Sequence, residues 1–228
     1  MPTLTLQPAE AAALDTYLES GANANTNFGG AAILNIGNNA FGGIINNILL
    51  EFDVSALPAS ATIVSATLTL KQSAGAAAGG VNMECRRLDE LGWVENLATY
   101  NRYDGLANWP GGAGGAGDTT GGAFATVWHP PGAGSTVDID VLVIIRDAFA
   151  NRAGRALLHH RQTSPAGIGT TYSFHSSSAV NAADRPKLAI AYTVPELPTA
   201  SSDDYTPACA HVTAGGFRRS RFNWRRHC

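Results

Sequence analysis

The chain has 228 residues, 45% of them hydrophobic and only 14% charged, with a formal net charge of −3. That is enough apolar material for one sizeable core, and β sandwiches of this length are commonly single domains. Residues 1–195 carry 10 basic and 15 acidic side chains while residues 196–228 carry five arginines and three acids, so the body lacks the basic footprint of a nucleic-acid binder. The three cysteines, Cys85, Cys209 and Cys228, have no metal-ligand spacing and allow one disulfide at most. The opening segment MPTLTLQPAEAAALDTYL has neither a basic n-region nor an apolar h-region, which leads us to expect a protein that does not leave the cell by the usual signal-peptide route, the alternative being a mature form whose leader is missing. No stretch approaches the roughly 18 apolar residues of a membrane helix.

Short β runs separated by turn residues dominate the chain. Thr3 to Leu6 alternates, as does Asp15 to Leu18, and AAILNIG (31–37) follows the turn-rich GANANTNFGG. Ile44 to Val54 is apolar enough to be a strand buried on both faces. In Ile63 to Lys71 the alternation places Val64, Ala66, Leu68 and Leu70 on one face and mostly Ser, Thr and Lys on the other, the mark of a half-buried sheet. VNMECRRL (81–88) is a further strand, and the Gly-rich 105–122 stretch reads as a long loop of the kind that is functional or folded on itself. FATVWH and STVDIDV are strands. Val141 to Ala150 alone has helical period, with Asp138 or Asp140 placed to cap it and Gly154 beyond its end. ALLHHRQ, TTYSFHSS and PKLAIAYTV close the domain, and residues 196–228 have no periodicity. The expected fold is an all-β, jelly-roll-like antiparallel sandwich over 1–195 with one short helix and an irregular C-terminal tail over 196–228.

No catalytic constellation stands out. Nucleophile-elbow, zincin and P-loop motifs are absent from the sequence. His159 and His160 point to opposite faces of one strand and cannot share a metal; one packed and one wet-face histidine are expected. Glu51 and Asp53 share a strand face, a better setting for salt bridges or a metal than for a glycosidase pair, which straddles a substrate bond. The GGAGGAG run (111–117) lacks the following helix of a phosphate loop.

An ordered series of motifs resembles the DNRLRE-type domain, related to disaggregatase-like carbohydrate-binding modules. It runs through Asp15-Thr16-Tyr17, Asn25-Thr26-Asn27-Phe28-Gly29, Leu34-Asn35-Ile36-Gly37, Leu49 to Pro58 and Ile63 to Leu70. It continues with Trp93, Glu95, Ala98-Thr99-Tyr100-Asn101, Asn108 to Gly112, Gly117-Asp118, Asp138 to Val141, Leu157-Leu158, Phe174 to Ser177 and Arg185 to Leu188. The resemblance covers about residues 12–194. The chain departs from it at Ser176-Ser177-Ser178, where the family has S-R-E, and at Tyr100, where it has Trp.

The resemblance implies a non-enzymatic module, and the residues raise three site expectations, the last of them in a tail that lies outside the resemblance. Loop oxygens at Asp15, Glu19, Asn25, Asp53 and Asp118, with Asn27 and Asn101 nearby, suit a structural calcium ion. Tyr103, Trp109 and Trp128, near the Gly-rich loop, are candidates for stacking against sugar rings, whereas Trp93 and Tyr100 read as core. The tail residues Phe217, Arg218, Arg219, Arg221, Phe222, Trp224, Arg225 and Arg226 form a basic, aromatic segment suited to holding a partner. The sequence favours a bacteriophage virion structural protein, such as a decoration, cement, fibre or tail-associated component. It would associate with other virion proteins and with itself, and contact host glycan, with no membrane or nucleic-acid partner. The alternative is an extracellular module that binds carbohydrate or cell wall.

Overall fold

The structure, a computed structural model, describes residues 1–7, 13–39, 43–74, 81–129, 132–162 and 170–195. Eleven strands appear in chain order: β1 Thr3–Leu6, β2 Ala13–Glu19, β3 Ile33–Asn39, β4 Ile44–Asp53, β5 Thr62–Ala74, β6 Val81–Leu88, β7 Thr119–His129, β8 Thr136–Asp140, β9 Arg155–Gln162, β10 Thr170–His175 and β11 Lys187–Thr193. The one α-helix among the described residues, α1, spans Leu142–Asn151 between β8 and β9. Hydrogen bonding links the strands in the order β1-β11-β5-β10-β3-β4-β9-β6-β7, with β8 on β5 and β2 on β4, and every pairing is antiparallel.

The long strand β5 joins two layers. Its first part pairs with β11 and β8, and its end pairs with β10. Side chains from the first layer (Ala66, Leu68, Leu70, Ile139, Leu188, Ile190) and from the second (Leu34, Ile36, Ile48, Leu50, Phe52, Leu158, Tyr172, Phe174) meet in one core. This is an all-β sandwich whose inward residues alternate along each strand. Ile144, Ile145 and Ala148 of α1 join the same core. The helix begins where Asp140 Oδ1 accepts the Leu142 N–H at 2.9 Å, so the second of the two candidate aspartates holds an amide of the first turn.

Two expectations need correction. Val64 is exposed and Ile63 buried, because the β5–β11 register slips between Ala191 and Tyr192. A bulge of this kind puts one extra residue on a strand and turns the following side chains over. The Gly-rich loop also ends sooner than its composition implies: β7 starts at Thr119 and runs through Gly121 and Gly122. The connection between β6 and β7 is therefore residues 89–118, and it starts well before the glycines. The doubly buried strand expected at Ile44 to Val54 is present, with Asn46 through Phe52 all buried. Cys85 is buried among the described residues, and burial pushes its thiol up to about 12, which leaves it unreactive.

Candidate functional site: a loop-built groove on the outer face

β4 is buried on both sides because its outer face is not open to water. Outward-facing Leu18, Leu49 and Leu157 of β2, β4 and β9 pack with Leu88, Trp93, Ala98 and Trp109 into a second core, flanked by Leu14, Tyr100 and Tyr103. The connection 89–118 lies over this face, and polar contacts fix it there. Glu51 is the main anchor: it accepts from Trp93 Nε1 at 2.9 Å and from Arg155 Nε and Nη2 at 2.6 and 2.9 Å, while Arg155 Nη1 donates to the Leu91 carbonyl. A two-pronged guanidinium–carboxylate pair of this kind is among the stronger side-chain contacts. The salt-bridge expectation for Glu51 is thus met, whereas Asp53 caps the next turn by accepting from the Ser55 N–H.

The motif residues of the first third meet those of the middle. Asn27 Nδ2 donates to the carbonyls of Glu95 and Ala98 at 2.6 and 2.7 Å, and Glu95 Oε1 accepts the Asp15 N–H. The Asn101 N–H bonds the Ala24 carbonyl, and Asn101 Nδ2 donates to Asn25 Oδ1 at 2.8 Å. Trp109 Nε1 donates to the Thr99 carbonyl, and Tyr103 meets Trp109 edge to face at 5.9 Å.

The glycine arm 111–117 folds back on itself. A Cβ on Gly111 would lie 2.3 Å from the Gly117 carbonyl carbon, so the two chain segments touch only because neither has a side chain. Gly114, with φ of 78°, drops its carbonyl onto the sheet, where Asn47 Nδ2 at 3.1 Å and His159 Nε2 at 3.0 Å meet it. His159 carries its proton on Nε2 to make that contact. Burial pushes its pKa down to about 4. The wet-face histidine is therefore replaced by two buried ones, because the loop covers the side that would otherwise be exposed.

Between the arm and the 25 and 101–108 segments lies an open groove of about 450 Å³, lined by Asn25, Asn101, Arg102, Asn108, Trp109, Pro110, Gly112 and Ala113. A smaller depression of about 280 Å³, sharing Asn25 and Arg102 with it, is also lined by Thr99 and Gly105. Arg102 and Asn108 are paired side by side by a β-bridge, and Asp104 holds the turn between them by accepting from the Leu106 and Ala107 amides. Three carboxamides and a guanidinium offer donors and acceptors on fixed backbone, the chemistry that binds hydroxyl groups.

The expected calcium ligands do not converge. Asp15 and Glu19 lie opposite Leu50 and Asn46 on the inward side of β2, whereas Asp53 is on the outward side of β4. Asp118 accepts the Gly111 N–H at 2.5 Å, Glu19 accepts from Asn23, and Asn25 lines the groove. Among the described residues no group of three His, Cys, Asp or Glu is placed to hold a metal. Asp15 is instead an internal carboxyl: burial, opposed by bonds from Ser177 and reinforced by Glu95, pushes its pKa up to about 7.

Of the expected sugar-stacking residues, Trp109 is 3% exposed and so presents no open ring face, because the second core takes it. Tyr103 is half-buried beside it, and Trp128 lies in β7 opposite Asn82. The tail residues from Phe217 to Arg226 lie outside the described residues. Composition gave no sign of Arg102 and Asn108 as groove residues; their places immediately before the half-buried Tyr103 and the buried Trp109 were the available signal.

Residues 7–107 match carbohydrate-binding module family 96. The chain carries a carbohydrate-binding-module-like domain. The matched stretch includes Asn25, Asn101, Arg102 and the whole Glu51–Trp93 anchor, while Asn108 and the glycine arm follow it. No curated protein matches the chain. No described helix is long and apolar enough to cross a membrane.

Proposed function

We propose that the chain is a non-catalytic carbohydrate-binding protein whose glycan lies in the groove bounded by Asn25, Asn101, Arg102 and Asn108. The observation that carries this reading is that the family match ends at an open, polar depression lined by carboxamides: Asn25, Asn101 and Arg102 lie in the matched stretch and Asn108 directly follows it. Sugar hydroxyls bind to such groups through direct and water-bridged hydrogen bonds. Trp109 contributes by holding the groove's backbone rather than by stacking. The match favours this reading, with an extracellular or cell-surface polysaccharide as partner, over the virion structural role expected from the sequence.

Electrophoresis through gels containing hydroxyethylcellulose, xylan, galactomannan or pectin tests it. The wild-type protein is expected to be retarded by at least one polysaccharide. The double variant Asn108→Ala, Arg102→Ala is expected to run freely with an unchanged melting temperature. Equal retardation of both proteins would remove the groove from the account.

A further inference from the structure

A second depression, of about 230 Å³, opens on the other flank of the glycine arm, lined by Ile45, Asn47, Glu84, Tyr100, Ala116, Arg161 and Gln162. Taking the carbohydrate-binding reading as its basis, we propose that the two depressions are subsites of one path, and that the protein grips an extended polysaccharide along its length, across the glycine arm.

The two depressions are lined by neighbouring residues of the same two segments. Tyr100 lines one and its neighbour Asn101 the other; Gly112 and Ala113 line one and Ala116 the other. What separates them is a single short turn, Ala113–Gly115, fixed to the wall by the Gly114 N–H bond to the Tyr100 carbonyl at 2.5 Å. At about 2.0 Å per residue a turn of this type is only roughly 6 Å across from Ala113 to Ala116. It is low because it carries almost no side chains: a Cβ on Gly112 would meet nothing within 4 Å, and Gly114 and Gly115 are buried. A bulky residue at this position would close the path, and the sequence has none.

The second depression has the chemistry of a sugar subsite. Tyr100 is half-buried, its ring packed against the second core, and Ile45 is 42% exposed beside it. This apolar wall suits the apolar face of a sugar ring. Glu84 accepts from Arg161 Nε at 2.6 Å and pairs with Arg86 Nε at 2.6 Å, and Arg161 Nη1 is fixed on the Ala116 carbonyl. Burial opposes ionisation of Glu84, but the bonds from Arg86 and Arg161 outweigh it and keep the carboxyl below its ordinary value. One carboxylate thus stands between two guanidiniums, so the depression presents fixed hydrogen-bonding groups with an excess of one positive charge, which fits sugar hydroxyls and accommodates an acidic sugar residue.

The test uses size-fractionated oligosaccharides of two to eight residues, prepared by partial hydrolysis of the polysaccharide that retards the protein, with titration calorimetry on the full chain. Affinity should rise with chain length and then level off once both depressions are filled. Ala116→Trp, which raises the arm at an exposed site, and Ile45→Ala, which removes the exposed aliphatic wall of the second depression, should each weaken the longest oligosaccharides about tenfold or more. The shortest should be unaffected by either. If affinity is independent of length, or neither variant weakens the long oligosaccharides, the shared path is overturned while the single groove stands. If the wild-type protein is retarded by none of the polysaccharides, both readings fall. An unchanged melting temperature for each variant excludes misfolding as the cause.

Discussion

The two faces of β4 are both buried but differ in how they are held. The inner face meets the opposite layer through apolar side chains: Ile48, Leu50 and Phe52 against Leu68, Leu70 and Ile190. The outer face is covered by a connection with almost no secondary structure, and there the apolar core of Leu49, Leu157, Trp93 and Trp109 is supplemented by directed bonds to Glu51, Asn47 and His159. Apolar burial is tolerant of small shifts, whereas hydrogen bonds fix a backbone in one register. An irregular segment can therefore be rigid enough to carry a binding groove, provided the sheet beneath it supplies polar partners at set positions.

The comparison can be broken at either side. The largest effect should come from Phe174→Ala in the inner core, at about 3–5 kcal/mol of global stability, read by denaturant unfolding. Glu51→Gln on the outer face should cost less, about 1.5–3 kcal/mol for weakened bonds to a charged group. Its distinguishing effect should be faster amide exchange in residues 89–118 while β5 and β11 stay protected. Uniform loss of protection across both faces would show that the loop and the sandwich unfold as one.

The two sides should also respond oppositely to pH. Asp15, raised to about 7 in the fold, contributes stability below its ordinary value of 3.8, which is lost as pH rises toward 7. His159, lowered to about 4, contributes stability above its ordinary value of 6.5, which is lost as pH falls toward 4. The two windows overlap, so melting temperature in the wild-type protein should change little between pH 4 and 7. Asp15→Asn should leave stability rising with pH, and His159→Gln should leave it falling, each on the order of 2 kcal/mol across the window. Parallel pH profiles for the two variants would contradict this assignment. The smallest effect on stability, within about 0.5 kcal/mol, is expected for Asn108→Ala at the exposed groove wall.

The sandwich was legible in the sequence because strand periodicity is local. The run from Ile44 to Val54 announced a strand covered on both sides, and the motif order announced the kind of module. What covers that strand was not legible. The outer core forms from Leu18, Leu49, Leu157, Trp93 and Trp109, residues distant in sequence that only the β2–β4–β9 pairing brings together. The same pairing explains why Trp109 looked available for stacking and is not, why both histidines are buried, and why the carboxylates proposed for calcium end on different faces. Asn25 and Asn101 were visible as polar loop residues, but their use as groove walls depends on the bond between them. Val64 was misassigned because a bulge leaves no mark on simple alternation.

The central claim is that the loop-covered outer face carries a glycan groove at Asn25, Asn101, Arg102 and Asn108. Its most direct test is titration calorimetry of the wild-type and Arg102→Ala, Asn108→Ala proteins with the polysaccharide that retards the chain in a gel. Saturable binding by the wild-type protein, lost in the equally stable double variant, is the predicted result. Unchanged binding by the double variant would contradict it.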